Sequence, residues 1–210
     1  MQPIATVGTI SPDLPSSMDL MRPPSPCYTR SRPLASWVLR SCGTAWYDPP
    51  MRPLTPSDVQ QALDRFGLGL TVEHFDDTTF TSNDAARAIG CELGQIAKSM
   101  CLLVAADPVL VVASGDKYIS DAKLAARFGV GRKKIKLADS ETCVAVFGYP
   151  PGGVAPVAHR TAGIKILIDR SLARWERIYA AAGTPHDNFA LTFDQLVTIT
   201  GGEVVDCVKE

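Results

Sequence analysis

The segment from Gly148 to Pro156 holds the most unusual local chemistry in this sequence. It reads GYPPGGVAP, so a Pro-Pro pair is followed directly by a Gly-Gly pair. Proline removes a backbone donor and glycine costs backbone entropy, so we predict a loop of fixed shape rather than a helix or a central strand. Gly152 and Gly153 would let the backbone approach a ligand and turn N–H groups towards a carbonyl oxygen or an oxyanion. A surface turn between a helix and a strand is the alternative interpretation.

Lys98 is the second candidate, because it stands in GQIAKSMCLLV directly before an apolar strand. A lysine at the start of a buried strand does not lie on a solvent-exposed face. Its ammonium must therefore extend out of the core or pair with an anion at the edge of the strand. Lysines before strands commonly extend into solvent. The position of Lys98 alone therefore does not separate a functional from a structural interpretation.

No conventional nucleophile or metal site is evident. The three histidines are scattered at positions 74, 159 and 186, and no Ser-His-Asp or Cys-His arrangement can be recognised. Six cysteines stand at positions 27, 42, 91, 101, 143 and 207, without a Cys-x-x-Cys pair or zinc-finger spacing. We predict reduced thiols, and we expect neither a metal nor a cofactor.

The composition indicates a compact globular protein. The 210 residues suffice for one well-buried domain, 46% of them are hydrophobic, and the net charge is −1. No apolar run approaches the ~20 residues that span a bilayer, and no signal sequence is evident, so we expect a cytoplasmic protein. Because the net charge does not favour polyanions, nucleic-acid binding would need a local basic patch. The candidates are Arg132, Lys133, Lys134 and Lys136.

The folded domain is expected to cover residues 51–210. Residues 1–50 contain nine of the sixteen prolines and no periodic pattern, which predicts a disordered leader. Two interpretations stay open for this leader. Met51 could be the physiological start, or the leader could be a tail that docks a partner through Trp37, Trp46 and Tyr47.

Short apolar runs alternate with short helical patterns after Met51. We predict a mixed α+β fold, in which a central, mixed, barrel-like β-sheet is surrounded by short helices. The first predicted helix is capped by Thr55 or Ser57 and turns Val59, Leu63 and Phe66 inward. The other predicted helices are Ser82 to Ile89 capped by Ser82, DAKLAARF between Ser120 and Gly129, SETCVAVF, and FDQLVTIT after Thr192. The predicted strands are TVEHFD, SMCLLVAA, PVLVVASG, KKIKLA, GIKILID, residues 174–181 and EVVDCV. Asp107-Pro108 is expected to form the turn of a hairpin between the second and third strands.

Four ordered blocks contain both Lys98 and the loop. They are GQIAKSMCLLV, VVASGDKYIS, VGRKKIKLADSETCVAVFGYPPGGVAPVAH and AAGTPHDNFALTFDQLVTITGGEVVDC. In this order they resemble the YbaK family of aminoacyl-tRNA deacylases, also known as the editing domain associated with prolyl-tRNA synthetase. The resemblance covers residues 56 to 208. The chain departs from the family at Ala158, where the family often has glycine, and the proline-rich leader has no counterpart in the family core.

The resemblance implies that the protein hydrolyses the ester between a small, wrongly attached amino acid and the 3′ end of tRNA, typically alanine or cysteine on proline tRNA. Lys98 would bind the phosphate of the terminal adenosine or orient the aminoacyl group. Loop N–H groups would hold the ester carbonyl. The loop residues concerned are Gly152, Gly153, Val154, Ala155 and Pro156. The attacking group would be water, a ribose hydroxyl or the thiol of a cysteinyl substrate.

Further positions receive candidate roles from the same resemblance. His159 would contact the adenosine or order a water, or it would only bond nearby backbone. Asp187 and Asn188 would line the amino-acid pocket. Asp116 and Lys117 would lie near the active site, although a Gly-Asp dipeptide is also ordinary hairpin chemistry. The basic run would grip acceptor-stem phosphates, or it would be a solvated face.

Three classes of function follow. The first is a freestanding trans-editing deacylase whose partners are aminoacyl-tRNA and, as a second candidate, prolyl-tRNA synthetase; neither DNA nor a membrane is expected. The second is a non-catalytic module that binds tRNA or an amino acid on the same fold. The third is an unrelated α+β enzyme that uses Cys101 or Cys143.

Overall fold

The computed structural model describes residues 52–209, which form one mixed β-sheet with short helices around it. The strands are β1 Val72–His74, β2 Ile96–Val104, β3 Asp107–Ser114, β4 Ile135–Leu137, β5 Lys165–Asp169, β6 Ile178–Ala181, β7 Asp187–Leu191 and β8 Glu203–Val205. The α-helices are α1 Pro56–Asp64, α2 Ser82–Ile89, α3 Asp121–Phe128, α4 Ser140–Thr142 and α5 Phe193–Thr200. The 3₁₀ turns are Leu93–Gln95, Arg132–Lys134 and Arg170–Arg174. The predicted mixed α+β class is confirmed, whereas the predicted leader lies outside the described residues.

Strand β2 organises the sheet because it has partners on both edges. One edge pairs antiparallel with β3 from Ala97 to Val104. The other edge pairs with two different strands, with β6 at Ile96 and Ala97 and with β4 at Leu102 to Val104. The sheet continues from β6 through β7 to β1, and from β3 through β5 to β8. Part of one edge of β2 is therefore left without a neighbouring strand.

Both faces of the sheet are covered. Leu110 and Val112 of β3 belong to a core that includes α1 and α5, whereas Val109 and Val111 belong to a core that includes α3. Successive side chains of a strand point to opposite faces, so a strand buried on both sides must be apolar throughout. This explains the uninterrupted run PVLVVA. No helix within residues 52–209 is long and apolar enough to cross a membrane.

Helix ends follow the predicted capping residues with one exception. The hydroxyl groups of Thr55, Ser120 and Thr192 accept hydrogen bonds from first-turn N–H groups of α1, α3 and α5. The predicted Ser82 cap of α2 is wrong. Thr81 takes this role, because its backbone is extended and its hydroxyl accepts from the N–H of Asp84 at 3.1 Å.

Four other elements differ from the prediction. Phe66 lies beyond the end of α1 and is exposed rather than inward. SETCVAVF divides into α4 and a π-helical turn, Cys143–Phe147. Residues 174–181 are a strand only from Ile178, since a 3₁₀ turn occupies 170–174. Strand β7 was not predicted, because turn-forming residues dominate GTPHDN immediately before its apolar end.

The hairpin turn lies two residues earlier than predicted. Asp107 pairs with Val104, so Ala105 and Ala106 form a two-residue turn with φ values of +50° and +80°. Positive φ at both positions is typical of a type I′ turn, which matches the twist of the flanking strands. Pro108 is tolerated within β3 because pairing with β5 begins only at Val109, so no hydrogen bond to β5 needs its missing N–H.

Replacing Ala105 by asparagine and Ala106 by glycine should stabilise the protein. Alanine is sterically strained in the left-handed region, whereas asparagine and glycine adopt it with much less strain. We therefore expect the free energy of unfolding to rise by about 1 kcal/mol for the two substitutions together. Urea unfolding would measure it. As a control, Ala126→Gly on the exposed face of α3 should lower stability by about 1 kcal/mol. An unchanged midpoint for the turn variant would contradict the assigned turn geometry.

Candidate functional site

A cavity of about 290 Å³ opens where β2 lacks a strand partner. It combines the start of α2, the edge of β2, the glycine-rich loop and the ends of β6 and β7. The lining residues are Thr79, Phe80, Thr81, Ser82, Ala85, Ile96, Ala97, Lys98, Ser99, Met100, Gly152, Val154, Ala181 and Asn188. The two strongest sequence candidates, Lys98 and the loop, therefore border the same space although 54 residues separate Lys98 from Gly152.

Ser99 offers polar atoms at this open edge. In the antiparallel register Ser99 faces Val112 of β3, three positions along the strand from Ile96, whose carbonyl accepts from the N–H of Gly115. Hydrogen-bonding direction alternates along such a pair, so the N–H and C=O of Ser99 point away from β3, towards the gap between β6 and β4. Its side-chain Oγ is buried and has no hydrogen-bond partner among the described residues. A buried hydroxyl in this state is available to a ligand.

Lys98 is half-buried, with its ammonium held at the rim of the cavity. Nζ donates a hydrogen bond of 2.8 Å to the backbone carbonyl of Lys117 and lies 5.7 Å from the centre of the Tyr118 ring. Burial lowers the pKa of the Lys98 ammonium, and the negative charge of Asp116 acts in the opposite direction. One ammonium hydrogen bond to a neutral carbonyl leaves two donors for a ligand.

The turn that carries this carbonyl is fixed by Asp116 and Arg174. Arg174 Nη2 lies 2.6 Å from the Asp116 carboxylate and donates to Ser114 Oγ at 3.0 Å. Burial acts to raise the pKa of Asp116, but the hydrogen bonds from Ser114 and Arg174 outweigh it and hold the pKa below its ordinary value. Asp116, which was expected near the active site, is thus engaged in an ion pair that shapes the turn. Lys117 contacts Lys98 through its backbone carbonyl.

The glycine-rich loop has a closed, fixed path. Tyr149 is fully buried, and its hydroxyl donates to the carbonyl of Val157 at 2.8 Å, which ties the two ends of the loop together. Inside the loop, the N–H of Gly153 donates to the Pro150 carbonyl, and the Gly153 carbonyl accepts from the N–H of Gly183 at 2.9 Å. The predicted loop of fixed shape is confirmed by these contacts.

Three N–H groups in the segment from Gly152 to Ala155 remain available. Among the described residues, those of Gly152, Val154 and Ala155 donate to no acceptor; Gly152 and Val154 line the cavity. The N–H of Gly153, in contrast, is used by the turn to Pro150. Backbone donors that the fold holds in place are the groups that stabilise a developing oxyanion.

The start of α2 adds further donors at the cavity, which Thr81 and Ser82 line. Thr81 accepts from the N–H of Asp84, and the N–H of Ala85 donates to the Thr81 carbonyl. The N–H groups of Ser82 and Asn83 have no acceptor among the described residues. Free first-turn N–H groups make this end of α2 electropositive.

The side chains of Asn188 and Asp187 lie in different places although the two residues are adjacent in sequence. Asn188 lines the cavity, where its amide donates to Thr79 Oγ1 at 2.9 Å. Asp187 does not line it; its carboxylate lies 2.9 Å from His74 Nδ1 and accepts from the hydroxyl of Thr184. Neighbouring residues of strand β7 must point to opposite faces.

His159 and Pro156 border a second cavity, of about 280 Å³, behind the loop. His159 Nε2 lies 3.1 Å from the carbonyl oxygen of Ala155, so this nitrogen carries the proton. Burial lowers the pKa of His159, against the raising effect of that hydrogen bond. Ala158 has a φ of +57°, a conformation that favours glycine, and it stands where the resembling family often has glycine.

The basic run lies at the far end of β2. The 3₁₀ turn that contains Arg132, Lys133 and Lys134 precedes β4, and the Lys134 carbonyl accepts from the N–H of Ala105 at 2.9 Å. Six residues of β2 separate this hairpin end from Lys98, which corresponds to roughly 20 Å. The run, including Lys136, is therefore not part of the cavity.

The thiols of Cys101 and Cys143 are unsuited to nucleophilic catalysis. Cys101 and Cys143 are buried, and burial raises the pKa of both thiols, which suppresses the reactive thiolate. Within residues 52–209, no group of three or more histidine, cysteine, aspartate or glutamate side chains could hold a metal ion.

Comparison with known proteins identifies the family. Residues 76–199 match the aminoacyl-tRNA editing domain. The chain belongs to this family. The protein YwhH of Bacillus subtilis is 30% identical over 143 residues, which is 66% of this chain and 87% of that protein. The proline–tRNA ligase of Thiobacillus denitrificans is 28% identical over 110 residues, which is 52% of this chain but only 19% of the ligase.

A solved structure supports the same assignment. A crystal structure described as a candidate trans-editing enzyme for prolyl-tRNA synthetase superposes with a TM-score of 0.68 at 31% identity, covering 74% of this chain and 97% of that one. The resemblance predicted from the four sequence blocks is confirmed.

Sequence reasoning missed several of the polar groups that surround the cavity. Ser99 follows Lys98 directly, but an isolated serine in an apolar strand gives no signal. The segment Thr79 to Thr81 directly precedes helix α2. Its threonines are ordinary capping residues, so they give no signal of a binding site. Their contribution depends on how α2 packs beside β2.

Proposed function

We propose that this protein is a trans-editing aminoacyl-tRNA deacylase that removes a small amino acid, alanine or cysteine, from wrongly charged proline tRNA. The observation that carries the proposal is the cavity in which the Lys98 ammonium and the free N–H groups of Gly152 and Val154 border one space. Action in trans is supported by the high coverage of YwhH and of the candidate trans-editing enzyme, which are similar to this chain over 87% and 97% of their lengths.

The site does not need a strong side-chain nucleophile, because an aminoacyl ester is already reactive. Water attacks the ester carbonyl, the bond from the carbonyl carbon to the ribose oxygen breaks, and the ribose oxygen takes a proton. The N–H groups of Gly152 and Val154 stabilise the oxyanion of the tetrahedral intermediate. Lys98 fixes the substrate by a charge-assisted hydrogen bond to the terminal phosphate or to the aminoacyl group. A cysteinyl thiol of the substrate can attack instead of water, which breaks the same bond and releases the amino acid as a thiolactone. Attack by the neighbouring ribose hydroxyl would only move the ester to that oxygen, so water would still be needed to release the amino acid.

The remaining candidates have supporting roles in this scheme. Asn188 is held by Thr79 at the cavity wall, where it can contact the amino acid. Asp116 and Lys117 position the Lys98 ammonium through the turn rather than by touching substrate. His159 supports the loop by its hydrogen bond to Ala155.

The proposal is tested with tRNAs charged with alanine, cysteine, serine and proline. The purified protein should release alanine or cysteine from proline tRNA and spare the correct prolyl ester. Hydrolysis of none of the four would contradict a deacylase function. It would favour the second candidate, a non-catalytic module, which the free buried hydroxyl of Ser99 also allows because binding alone can satisfy it.

In this proposal the basic run binds the phosphates of the acceptor stem. Replacing Lys133, Lys134 and Lys136 together by glutamine should weaken tRNA binding, because fewer phosphates are neutralised. The slope of log K against log salt should become less steep by about 0.7 to 0.9 for each phosphate contact that is lost. Filter binding across a salt series would measure this slope. Hydrolysis of a minimal aminoacyl ester should not change, since the run lies outside the cavity. An unaltered salt slope would indicate that the run is only a solvated face.

A further inference from the structure

Two large aromatic side chains at the candidate cavity are exposed to solvent. Phe80 lines the cavity and is 54% exposed, and Tyr118, beside Lys98, is 76% exposed. Single exposed aromatic residues are common on protein surfaces. Here Phe80 lines the cavity, and Tyr118 lies beside Lys98, which lines the same cavity. Both exposed rings are therefore accessible to a ligand that extends from the cavity past Lys98.

Phe80 is held in place by its neighbours in sequence and by Gly152. Thr79 donates its N–H to the Pro185 carbonyl and binds Asn188 through its hydroxyl, whereas Thr81 caps α2. A Cβ atom at Gly152 would come within 2.5 Å of the Phe80 ring, so the ring lies directly against the glycine backbone. One side of the ring, at Cδ2 and Cε2, is thus packed against the loop.

Tyr118 belongs to the same rim. Its neighbour Lys117 accepts the hydrogen bond from Lys98, and the Tyr118 ring lies 5.7 Å from that ammonium. The start of this turn contacts the start of α2, because a Cβ atom at Gly115 would lie 3.1 Å from the Cβ of Ser82. A continuous path of contacts therefore leads from Tyr118 along the turn to α2 and Phe80.

We infer that Phe80 and Tyr118 are stacking platforms for the unpaired bases at the 3′ end of the RNA. This inference rests on the proposed function and specifies how that substrate is bound. Unpaired bases expose flat π-faces that stack on aromatic rings whatever the base, and the phosphates between them require a cation nearby. The rim supplies both, since Lys98 lies between the cavity and Tyr118.

Stacking here would explain how a small cavity distinguishes tRNA from other esters. The cavity holds the aminoacyl ester and its ribose, while the base of the terminal nucleotide rests on Phe80 and the preceding base reaches Tyr118. Binding energy from the bases then fixes the ester against the loop N–H groups, which is the contribution of remote contacts to catalysis.

The test compares Phe80→Ala and Tyr118→Ala with the unchanged protein in two measurements. The first is the Kd of an uncharged CCA trinucleotide, and the second is kcat/KM for aminoacyl-tRNA beside the rate with a simple alkyl ester of the same amino acid. Each variant should raise the Kd between roughly fivefold and a hundredfold and raise KM for tRNA. The alkyl ester rate should stay unchanged for Tyr118→Ala, since Tyr118 does not line the cavity. Phe80→Trp and Tyr118→Phe should retain binding, because they keep an aromatic face.

Phe66→Ala is the matched control, since Phe66 is also an exposed phenylalanine but borders the cavity behind the loop. It should leave the trinucleotide Kd unchanged. An unchanged Kd in both rim variants, or an equal weakening with Phe66→Ala, would overturn the inference. Absence of hydrolysis by the unchanged protein would instead refute the deacylase function, and the trinucleotide titration would still decide whether the rings bind bases.

Discussion

Lys98→Ala should reduce the rate of deacylation by at least a hundredfold while the protein stays folded. Among the described residues that line the cavity, Lys98 is the only one with a charged side chain. Removing one preorganised polar contact of this type costs about 3 kcal/mol of transition-state stabilisation. The fold should tolerate the change, because the ammonium makes a single hydrogen bond, to the Lys117 carbonyl at the rim.

Single-turnover hydrolysis of the preferred aminoacyl-tRNA would measure the effect, with thermal unfolding as the check on folding. Lys98→Met keeps the aliphatic stem and should be as inactive as the alanine variant, which separates the charge from packing. Lys165→Met is the matched control. Lys165 also lies on a strand, β5, but outside the cavity, so its variant should react like the unchanged protein. A Lys98→Ala rate within threefold of the unchanged protein would refute the proposed role.

The sequence predicted the conformation of the glycine-rich loop well, because residue chemistry determines local conformation there. Consecutive prolines and glycines dictate a rigid loop whatever the rest of the chain does, and the loop is closed by Tyr149 and Gly153 as local contacts. Lys98 and the loop were each ambiguous alone. Only their order within four blocks predicted that they belong to one site, and the structure places both beside the cavity at the unpaired edge of β2.

Other parts of the site depend on distances that no local pattern encodes. Asp187 and Asn188 were treated alike, but β7 was not predicted, and only a strand assignment shows that they must face opposite ways. Asp116 was expected near the active site, but its ion pair with Arg174 could not be foreseen, because Arg174 is 58 residues away in sequence. The hairpin turn was misplaced because Asp107-Pro108 has stronger turn chemistry than the two alanines that adopt the turn.

Gly153→Ala should abolish most of the activity for a reason that differs from loss of charge. A Cβ atom at Gly153 would lie 2.7 Å from the carbonyl oxygen of Gly183 and 2.8 Å from the N–H nitrogen of Thr184. These are backbone atoms, which cannot rotate away as the end of a side chain could. Because the same two segments are joined by the hydrogen bond from Gly183 to Gly153, the loop would have to separate from the connection between β6 and β7.

This displacement would carry the N–H groups of Gly152 and Val154 away from the ester, and shifts of about 1 Å at reacting groups cost on the order of a hundredfold in rate. We expect kcat/KM to fall by at least that factor, with a decrease in unfolding free energy of only about 1–3 kcal/mol from overpacking. Gly131→Ala is the control, since its φ is −71° and a Cβ atom there would meet nothing within 4 Å. Activity should be measured at a temperature where unfolding curves show each variant to be native. If Gly153→Ala hydrolysed aminoacyl-tRNA as fast as Gly131→Ala, the loop N–H groups could not be the oxyanion site, because they would have moved without consequence.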